Sequence, residues 1–240
     1  MRRPHPRHRR VRTKSGISIG GPLVVSVLGA SLLAVAPAAA SSSARVTGLW
    51  HLDETSGSVA VDASGLGNDG VNHGALIGQP GHDGSAYSFV PLGSWVEVRS
   101  SDNLNPGTRD FSFSVWLNVS KAPANGQTYD PIRKGLVTTK TGDFKLEMFN
   151  GGKLRCIAKD ANRLAASIYG PANNFADGQW HHVTCARNGS NWSITVDAST
   201  RSKVVPFGSI GNNDSLSVGS KYGVEDDVIG RVDEVTFTIG

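Results

Sequence analysis

Short stretches in which apolar and polar residues alternate constrain this fold more than any other feature of the sequence. In 111–119, every second residue from Phe111 to Val119 is apolar, and 192–196 and 235–239 alternate in the same way. Neighbouring residues of a β-strand point to opposite sides, so this period of two is typical of a strand that buries one face. No window repeats apolar residues at the helical spacing of i, i+3, i+4 and i+7. The sequence therefore predicts an all-β protein.

Further strand candidates follow one another closely, and turn sequences such as Asn125-Gly126 and Asn150-Gly151-Gly152 separate them. The candidates are 46–52, 86–90, 94–98, 134–140, 143–149, 153–159, 164–169, 201–206 and 215–219. Many short alternating strands favour two stacked sheets that bury their apolar faces against each other. The predicted architecture is an antiparallel two-sheet jelly-roll sandwich.

The first 40 residues differ in composition from the rest. Residues 1–40 contain seven basic residues and no acidic one, and a mainly apolar run at 23–36 is followed by Ala38-Ala39-Ala40. This is the pattern of a secretory signal peptide cleaved after Ala40. A membrane anchor is the alternative, but a helix needs about 20 apolar residues to cross a bilayer. We therefore predict a signal peptide at 1–40, a short linker at 41–45 and one secreted, extracellular domain at 46–240.

Loss of the leader changes the charge of the chain. The full sequence has 24 basic and 20 acidic residues, so the part after residue 40 has 17 basic against 20 acidic residues. A nucleic-acid partner would require a basic patch, which this balance does not favour. Stable membrane insertion is not expected after cleavage. The predicted partner is an extracellular glycan or a cell-surface protein.

Both cysteines lie in predicted strands. Cys156 shares a strand face with Leu154 and Ala158, and Cys185 shares one with Val183. Both thiols would therefore point to an apolar side, and an oxidising compartment lets such a pair persist as a disulfide. We predict a cross-strand or cross-sheet bridge, which contributes roughly 3 kcal/mol in the chain-entropy model. Two buried free thiols are the alternative.

Three parts of the predicted domain match a known family pattern in the expected order. They are 48–57 together with 62–70, then 177–184 (DGQWHHVT), and finally 230–237 (GRVDEVTF). These segments resemble the opening, a central strand and the closing strand of laminin-G-like domains in the concanavalin A-like lectin and glucanase superfamily. The resemblance implies a jelly roll of two curved antiparallel sheets. It also implies binding of carbohydrate or protein outside the cell, often without catalysis.

The opening loop carries oxygen-bearing side chains that suit a hard cation. Asp62, Asn68 and Asp69 lie among glycines, and Ca²⁺ takes about six to eight oxygen ligands. Asp233 has the same strand parity as Val235, so its carboxylate is expected on the buried side, where it needs compensation. We predict a structural Ca²⁺ shared by these four polar residues, as the resemblance also suggests. The alternative is that their side chains form hydrogen bonds with backbone groups.

Aromatic residues in turns are candidates for stacking on a sugar ring: Trp95, Tyr129, Tyr169, Tyr222 and His82. Polar residues that could fix sugar hydroxyls stand near two of these rings. They are Asn125, Gln127 and Asp130 near Tyr129, and Lys221, Glu225, Asp226 and Asp227 near Tyr222. We predict ligand contacts from Tyr129, Asp130, Tyr222 and Trp95.

The remaining aromatic and histidine candidates are interpreted as structural. Trp50, Trp116, Trp180 and Trp192 fall inside strand patterns and are expected in the core. The pair His181-His182 is not expected to bind one metal ion, because adjacent strand residues point to opposite faces.

No catalytic residue is predicted. Endoglucanases of the superfamily resemble one another in a strand bearing Glu-x-Asp-x-Glu or a variant one residue longer, and this sequence has neither that array nor Gly-x-Ser-x-Gly. The run Glu225-Asp226-Asp227 is consecutive and not alternating. The predicted function is therefore a secreted, non-catalytic binding module that recognises carbohydrate. A protein-binding or adhesion module is the first alternative, and a divergent glycoside hydrolase is the second.

Overall fold

The structure is a computed structural model that describes residues 44–90 and 92–240. The described residues form 16 β-strands and one short 3₁₀ helix, Asp102–Leu104. The strands are β1 (Arg45–Trp50), β2 (Val59–Ala60), β3 (Gly70–His73), β4 (Leu76–Pro80), β5 (Ser85–Ser88), β6 (Trp95–Val98), β7 (Phe111–Val119), β8 (Tyr129–Lys134), β9 (Gly142–Phe149), β10 (Lys153–Asp160), β11 (Ala165–Tyr169), β12 (Trp180–Asn188), β13 (Asn191–Val196), β14 (Ser199–Val204), β15 (Leu216–Val218) and β16 (Gly230–Ile239).

The strands form two eight-stranded sheets, and every strand pair is antiparallel. Sheet 1 has the order β14-β13-β12-β7-β16-β5-β4, and β1 also pairs with β16. Sheet 2 has the order β11-β10-β9-β8-β15-β6-β3-β2. The predicted all-β, two-sheet jelly-roll sandwich is confirmed. The predicted signal peptide at 1–40 lies outside the described residues, as does most of the predicted linker.

The alternating strands place their apolar residues between the sheets. From Phe111 to Val119, every second residue of β7 is buried in the core. Rings from both sheets meet there: Phe113 of β7 and Phe237 of β16 face Phe144 of β9, with ring centroids 5.0 and 5.5 Å from the Phe144 ring. Buried aromatic side chains supply much of the hydrophobic free energy of such a core.

The predicted disulfide is present and joins the two sheets. Cys156 of β10 and Cys185 of β12 are fully buried, and their Cα atoms are 5.7 Å apart. Of the two geometries that the sequence left open, the structure shows the cross-sheet bridge. The bond therefore clamps the sandwich through its core.

One predicted strand is wrong, and four strands were missed, namely β2, β3, β4 and β8. The window 134–140 does not form a strand, because β8 ends at Lys134 and Gly135 adopts a positive φ of 86°. β8 itself runs from Tyr129 to Lys134 and contains Pro131, and all six of its residues are buried. A proline and charged residues on a strand buried on both faces hide the alternation on which the sequence prediction depended.

A bulge in β16 reverses the predicted orientation of Asp233. The pairing between β16 and β7 shifts between Asp233 and Thr236, and Glu234 adopts a positive φ of 49°. Asp233 pairs with Trp116, while Phe237 pairs with the core residue Phe113. Since a bulge adds one residue to a strand, the side-chain parity changes across it. Asp233 therefore lies on the outer side of sheet 1, not on the core side.

No helix formed by the described part of the chain has the length and apolar character that crossing a membrane requires.

Candidate functional site

A groove lined by charged side chains runs along the outer face of sheet 2. Three neighbouring strands supply the lining: β9 and β10, in which polar residues alternate with core residues, and β8 beside them. The charged residues at this face are Arg133 of β8, Asp143, Lys145 and Glu147 of β9, and Arg155 and Lys159 of β10. The strand register places Lys145 beside Arg133, and Glu147 beside Arg155. The cavity above them has a volume of about 470 Å³.

The charges in the groove form a continuous ladder of ion pairs. Lys145 Nζ lies 3.0 Å from Asp130 Oδ1 and also contacts the carboxylate of Glu147. Glu147 in turn accepts hydrogen bonds from the guanidinium of Arg155. On the other side, Arg133 Nη1 lies 2.6 Å from Asp130 Oδ2. Buried charges are tolerated when each is paired in this way, so the ladder fixes the side chains that line the groove.

Two further ion pairs contribute charged side chains to the groove. Lys159 Nζ lies 2.6 Å from Asp143 Oδ2, and Lys221 pairs with Glu225. Asp226 lines the groove as well. Counted with their ion-pair partners, the lining residues comprise five basic side chains and five carboxylates. The groove is therefore rich in hydrogen-bonding groups but has no formal excess of charge.

Burial shifts the pKa of several groups in the ladder. Burial raises the pKa of Asp130 to about 6, although Lys145 and Arg133 oppose the shift. Burial also raises the pKa of Asp143. For Lys145, burial alone would lower the pKa, but the charges of Asp130 and Glu147 raise it above its ordinary value. Near neutral pH both Asp130 and Lys145 are therefore predominantly ionised.

Aromatic rings lie at one end of the ladder. The guanidinium of Arg155 lies 5.2 Å from the ring centroid of Phe149 and 5.9 Å from that of Tyr169. The Tyr169 side chain is exposed, so its ring borders the solvent beside Arg155. This juxtaposition offers an apolar ring face next to charged hydrogen-bond donors.

A second cavity adjoins the groove, and Asp226 lines both of them. Its volume is about 310 Å³, and its lining comes from the loops 126–129 and 225–227. Two hydrogen bonds join these loops: Thr128 Oγ1 donates to Asp226 Oδ1 at 2.7 Å, and Asp130 N donates to Asp226 O at 2.8 Å. The two loops that the sequence marked as separate ligand-binding candidates thus lie together.

Three of the predicted ligand-binding residues are buried or bonded within the protein itself. The side chain of Tyr129 is buried in the core, so it is not the exposed ring that the sequence predicted. The side chain of Asp130 is fully buried in the ion-pair ladder. The Tyr222 hydroxyl accepts a hydrogen bond from Gly135 N at 2.8 Å and donates one to Ser215 O at 3.1 Å.

Trp95, the fourth of these residues, lies in a small aromatic cluster on β6. Its ring stacks on His73 with a centroid separation of 4.8 Å and meets the edge of Tyr222 at 5.8 Å. The sequence did not indicate the ion-pair ladder, although the alternating charges of 143–147 were a visible signal. Pairing those charges required knowledge of the strand order.

The residues predicted to hold Ca²⁺ are engaged in hydrogen bonds with the protein. Asp62 accepts hydrogen bonds from the backbone N–H groups of Leu49, Ser64 and Asn68, at 2.9 to 3.0 Å. Burial alone would raise the pKa of Asp62, but these bonds and one from the Ser64 hydroxyl lower it. Asn68 donates to Thr47 O at 2.7 Å, and Asp69 accepts from Asp62 N at 2.8 Å.

Asp233 is compensated by a different part of the chain. Its Oδ2 accepts hydrogen bonds from His82 N at 2.7 Å and Asp83 N at 3.1 Å, and its Oδ1 accepts one from Glu234 N at 2.9 Å. These backbone donors supply the compensation that a buried carboxylate requires. Within 44–90 and 92–240, no group of three or more His, Cys, Asp or Glu side chains could hold a metal ion. The shared Ca²⁺ stays a prediction, and the donor set seen here does not fit it.

Two of the four tryptophans predicted for the core are not in it. Trp50 and Trp192 are fully buried, as expected. Trp116 and Trp180 are only partly buried, because they occupy outer-face positions of sheet 1. The signal was available in the sequence: Trp116 stands between the core residues Val115 and Leu117 and therefore has the opposite parity.

Comparison with known families agrees with this architecture. A laminin G family model, described as Concanavalin A-like lectin/glucanases superfamily, matches residues 92–238. The chain belongs to this superfamily. A search of curated proteins finds no match.

Several solved structures are similar to the concanavalin A-like fold of this chain. The binding domain of Paraclostridial Mosquitocidal Protein 1 is 17% identical with a TM-score of 0.65, over 80% of this chain and 48% of that one. The binding domain of botulinum neurotoxin serotype G is 13% identical with a TM-score of 0.61, over 80% and 47%. This chain thus spans about half the length of these two binding domains.

Domain 4 of AbnA, a GH43 extracellular arabinanase from Geobacillus stearothermophilus, was solved in complex with arabinotriose. It is 16% identical with a TM-score of 0.60, over 82% of this chain and 93% of that one. At such identities the likeness to these structures shows the fold alone. The similar structures are binding domains of toxins and one domain of a larger glycan-degrading enzyme.

Proposed function

We propose that this protein is a secreted, non-catalytic module that binds a neutral oligosaccharide in the groove on sheet 2. The observation that carries the proposal is the charge-matched groove, in which five basic side chains and five carboxylates line one cavity or pair with its lining. A ligand with a net charge would be repelled by half of these groups. A neutral polyol gains hydrogen bonds from both halves.

The chemistry of sugar hydroxyls fits this lining. Each hydroxyl donates one hydrogen bond and accepts others, so a sugar can donate to a carboxylate such as Asp226 and accept from a guanidinium such as Arg155, both of which line the groove. Charge-assisted hydrogen bonds of this kind are about twice as strong as those between neutral groups. The exposed ring of Tyr169 beside Arg155 provides a face for the C–H side of a sugar.

The similar structures support a binding function. The arabinanase domain was solved with arabinotriose, a neutral trisaccharide. Another similar structure concerns botulinum neurotoxin type C, whose cell entry depends on interaction with two ganglioside molecules. Extension of glycan binding to this chain is part of the proposal.

The absence of catalysis is also proposed, on the basis of the geometry of the acidic groups. Retaining glycosidases place two carboxyl groups about 5–5.5 Å apart on either side of the scissile bond. Asp130 and Glu147 both contact Lys145, so the ammonium lies between them, and both side chains are almost completely buried. Release of reducing sugar from polysaccharide that is lost on substitution of Glu225, Asp226 and Asp227 would instead support the hydrolase alternative.

A glycan array tests the proposal directly. The wild-type protein should bind neutral oligosaccharides, and Glu147→Gln should weaken that binding at least tenfold, since it removes the negative charge that holds Lys145 and Arg155 in the groove lining. The matched control is Glu97→Gln, because Glu97 lies on the same sheet, pairs with His73 and does not line the groove. No binding to any glycan, or equal binding by both variants, would reject glycan recognition in the groove.

A second candidate function is binding of a cell-surface protein, and exposed apolar loop tips favour it. The side chains of Leu92 and Val224 are 74% and 80% exposed. They belong to loops that touch each other, because Gly93 N donates to Asp227 Oδ2 at 3.2 Å and Gly223 O lies close to Gly93. Pull-down from surface extracts with wild type and Leu92→Ser would detect this function by loss of the captured protein in the variant.

A further inference from the structure

The outer face of sheet 1 carries a row of polar and aromatic side chains from four adjacent strands. Trp180 of β12 pairs with Asn118 of β7, Asn118 pairs with Arg231 of β16, and Arg231 pairs with Ser88 of β5. Residues paired across antiparallel strands point to the same side of the sheet. The row therefore forms one continuous strip on the face opposite to the groove.

A cavity of about 330 Å³ lies over this strip. Its lining residues are Ser88, Val90, Asn118, Ser120, Gly178, Ile229, Gly230 and Arg231. Arg231 is the single charged side chain among these eight, and no carboxylate is among them. The cavity, here called the arginine pocket, thus differs in kind from the charge-matched groove.

Arg231 is held rigidly but retains free hydrogen-bond donors. Its Nη1 donates to Pro80 O at 2.6 Å, and its Nη2 donates to Asn118 Oδ1 at 3.2 Å. The guanidinium has five N–H donors, so three remain for a ligand. No ion pair found among residues 44–90 and 92–240 includes Arg231. A cation fixed in this way and lacking a carboxylate suits an anionic group that binds two donors at once.

A cluster of aromatic rings contacts Arg231 from outside the cavity lining. The guanidinium of Arg231 lies 5.3 Å from the ring centroid of Trp180. The exposed ring of His82 stacks on Trp116 at 3.5 Å and meets Trp180 edge-on at 6.3 Å. These partly exposed rings provide apolar faces beside the cation, an arrangement that suits a sugar ring carrying an acidic group.

The turn that carries His82 is built to hold this position. Asp233, which is fully buried, accepts hydrogen bonds from the N–H groups of His82 and Asp83. Asp53 accepts another from Ser85 N at 2.6 Å. A side chain at Gly81 would place its Cβ against the backbone carbonyl of Ser85 and 2.8 Å from Asp233 Oδ2, so glycine is required for this close approach. The position of His82 beside Trp116 and Trp180 is therefore preorganised.

We propose that the arginine pocket binds the carboxylate of an acidic sugar, with the guanidinium of Arg231 as its bidentate partner and with Trp180 and His82 against the sugar ring. This site lies on the opposite sheet from the groove and does not depend on the function proposed for the groove. The ligand class is a hexuronate or another sugar acid at the end or branch of a glycan.

Tryptophan fluorescence of the full protein tests this proposal, with sodium D-glucuronate, D-glucose and sodium acetate as probes. Glucuronate should give saturable quenching, glucose at equal concentration should give none, and acetate should bind at least tenfold more weakly than glucuronate. Arg231→Met should reduce glucuronate affinity at least tenfold. The control Arg201→Met, on the exposed strand β14, and the groove variant Glu147→Gln should bind glucuronate as the wild type does.

Each contrary result overturns a defined part of the proposal. Equal binding of glucose and glucuronate would exclude carboxylate recognition, and equal binding of acetate and glucuronate would exclude contact with the sugar ring. Wild-type affinity in Arg231→Met would exclude Arg231 as the partner. If Arg231→Met fails to fold by circular dichroism, Arg231→Lys keeps the charge but loses the bidentate geometry and should still bind more weakly.

Discussion

The disulfide between Cys156 and Cys185 allows a quantitative test of how the two sheets are held together. The bridge closes a loop with a sequence separation of 29 residues between strands of different sheets. In the chain-entropy model, a loop of that length removes conformational freedom from the unfolded chain equivalent to about 3–4 kcal/mol at 25 °C. For a domain of this size, about 2–4 °C of melting temperature corresponds to each kcal/mol, so reduction should lower Tm by about 6–16 °C.

Chemical denaturation with and without a reducing agent measures this difference. Reduction is preferable to substitution, because the free thiols still fill the core, whereas alanine at these fully buried positions would add cavity terms. The double variant Cys156→Ala/Cys185→Ala is the control, since the reducing agent should not change its stability. A loss below about 1 kcal/mol on reduction of the wild type, or an equal loss in the control, would refute the entropic argument.

Three further predictions concern buried carboxylates and the turn at Gly81. Burial raises the pKa of Asp130 to about 6, so between about pH 4 and 6 the folded protein retains a proton that the unfolded chain has lost. This contribution to stability is complete below pH 4 and disappears as the pH rises through 6; Asp130→Asn should flatten that slope in denaturation curves at pH 4, 5 and 6. Gly81→Ala should lower stability by about 1–3 kcal/mol through the clash with the Ser85 carbonyl and Asp233, while Gly57→Ala, with no atom within 4 Å, gives the smaller cost of its positive φ alone. If the opening loop holds Ca²⁺, adding the ion to the metal-free protein should release or absorb heat and raise Tm; no change in either would reject the site.

The period of two in the sequence was sufficient to predict most of the core. The strands β7, β9, β10, β12 and β13 follow the predicted windows closely because each buries one face against the other sheet. β8 could not be found in this way, since both of its faces are buried and Arg133 and Lys134 occupy adjacent positions in it. Lys134 is satisfied by Ser100, Asn212 and Asp214, which lie far away in the sequence.

The candidate sites were predictable only in part, and for related physical reasons. The parity of Asp233 follows from Val235 only in a regular strand, and the bulge at Glu234 breaks that regularity without a glycine to announce it. The ion-pair ladder depends on which strands are neighbours, so the charges of β8, β9 and β10 acquire their meaning only after the sheet order is known. The outer-face position of Trp116, in contrast, could have been predicted from its parity alone.

The opposed outer faces of the sandwich have a mechanical consequence. A ligand in the groove and a ligand in the arginine pocket would be separated by two sheets that stack about 10 Å apart, so the two ligands would not touch each other. Their affinities would combine only where one molecule joins the two ligands. A polysaccharide with both neutral stretches and acidic units would bind a copy of the domain at either face, in the groove or in the arginine pocket. The domain would then act as a spacer that joins two glycan chains at a fixed separation, and mixtures with long polysaccharides should thicken or precipitate in proportion to protein concentration.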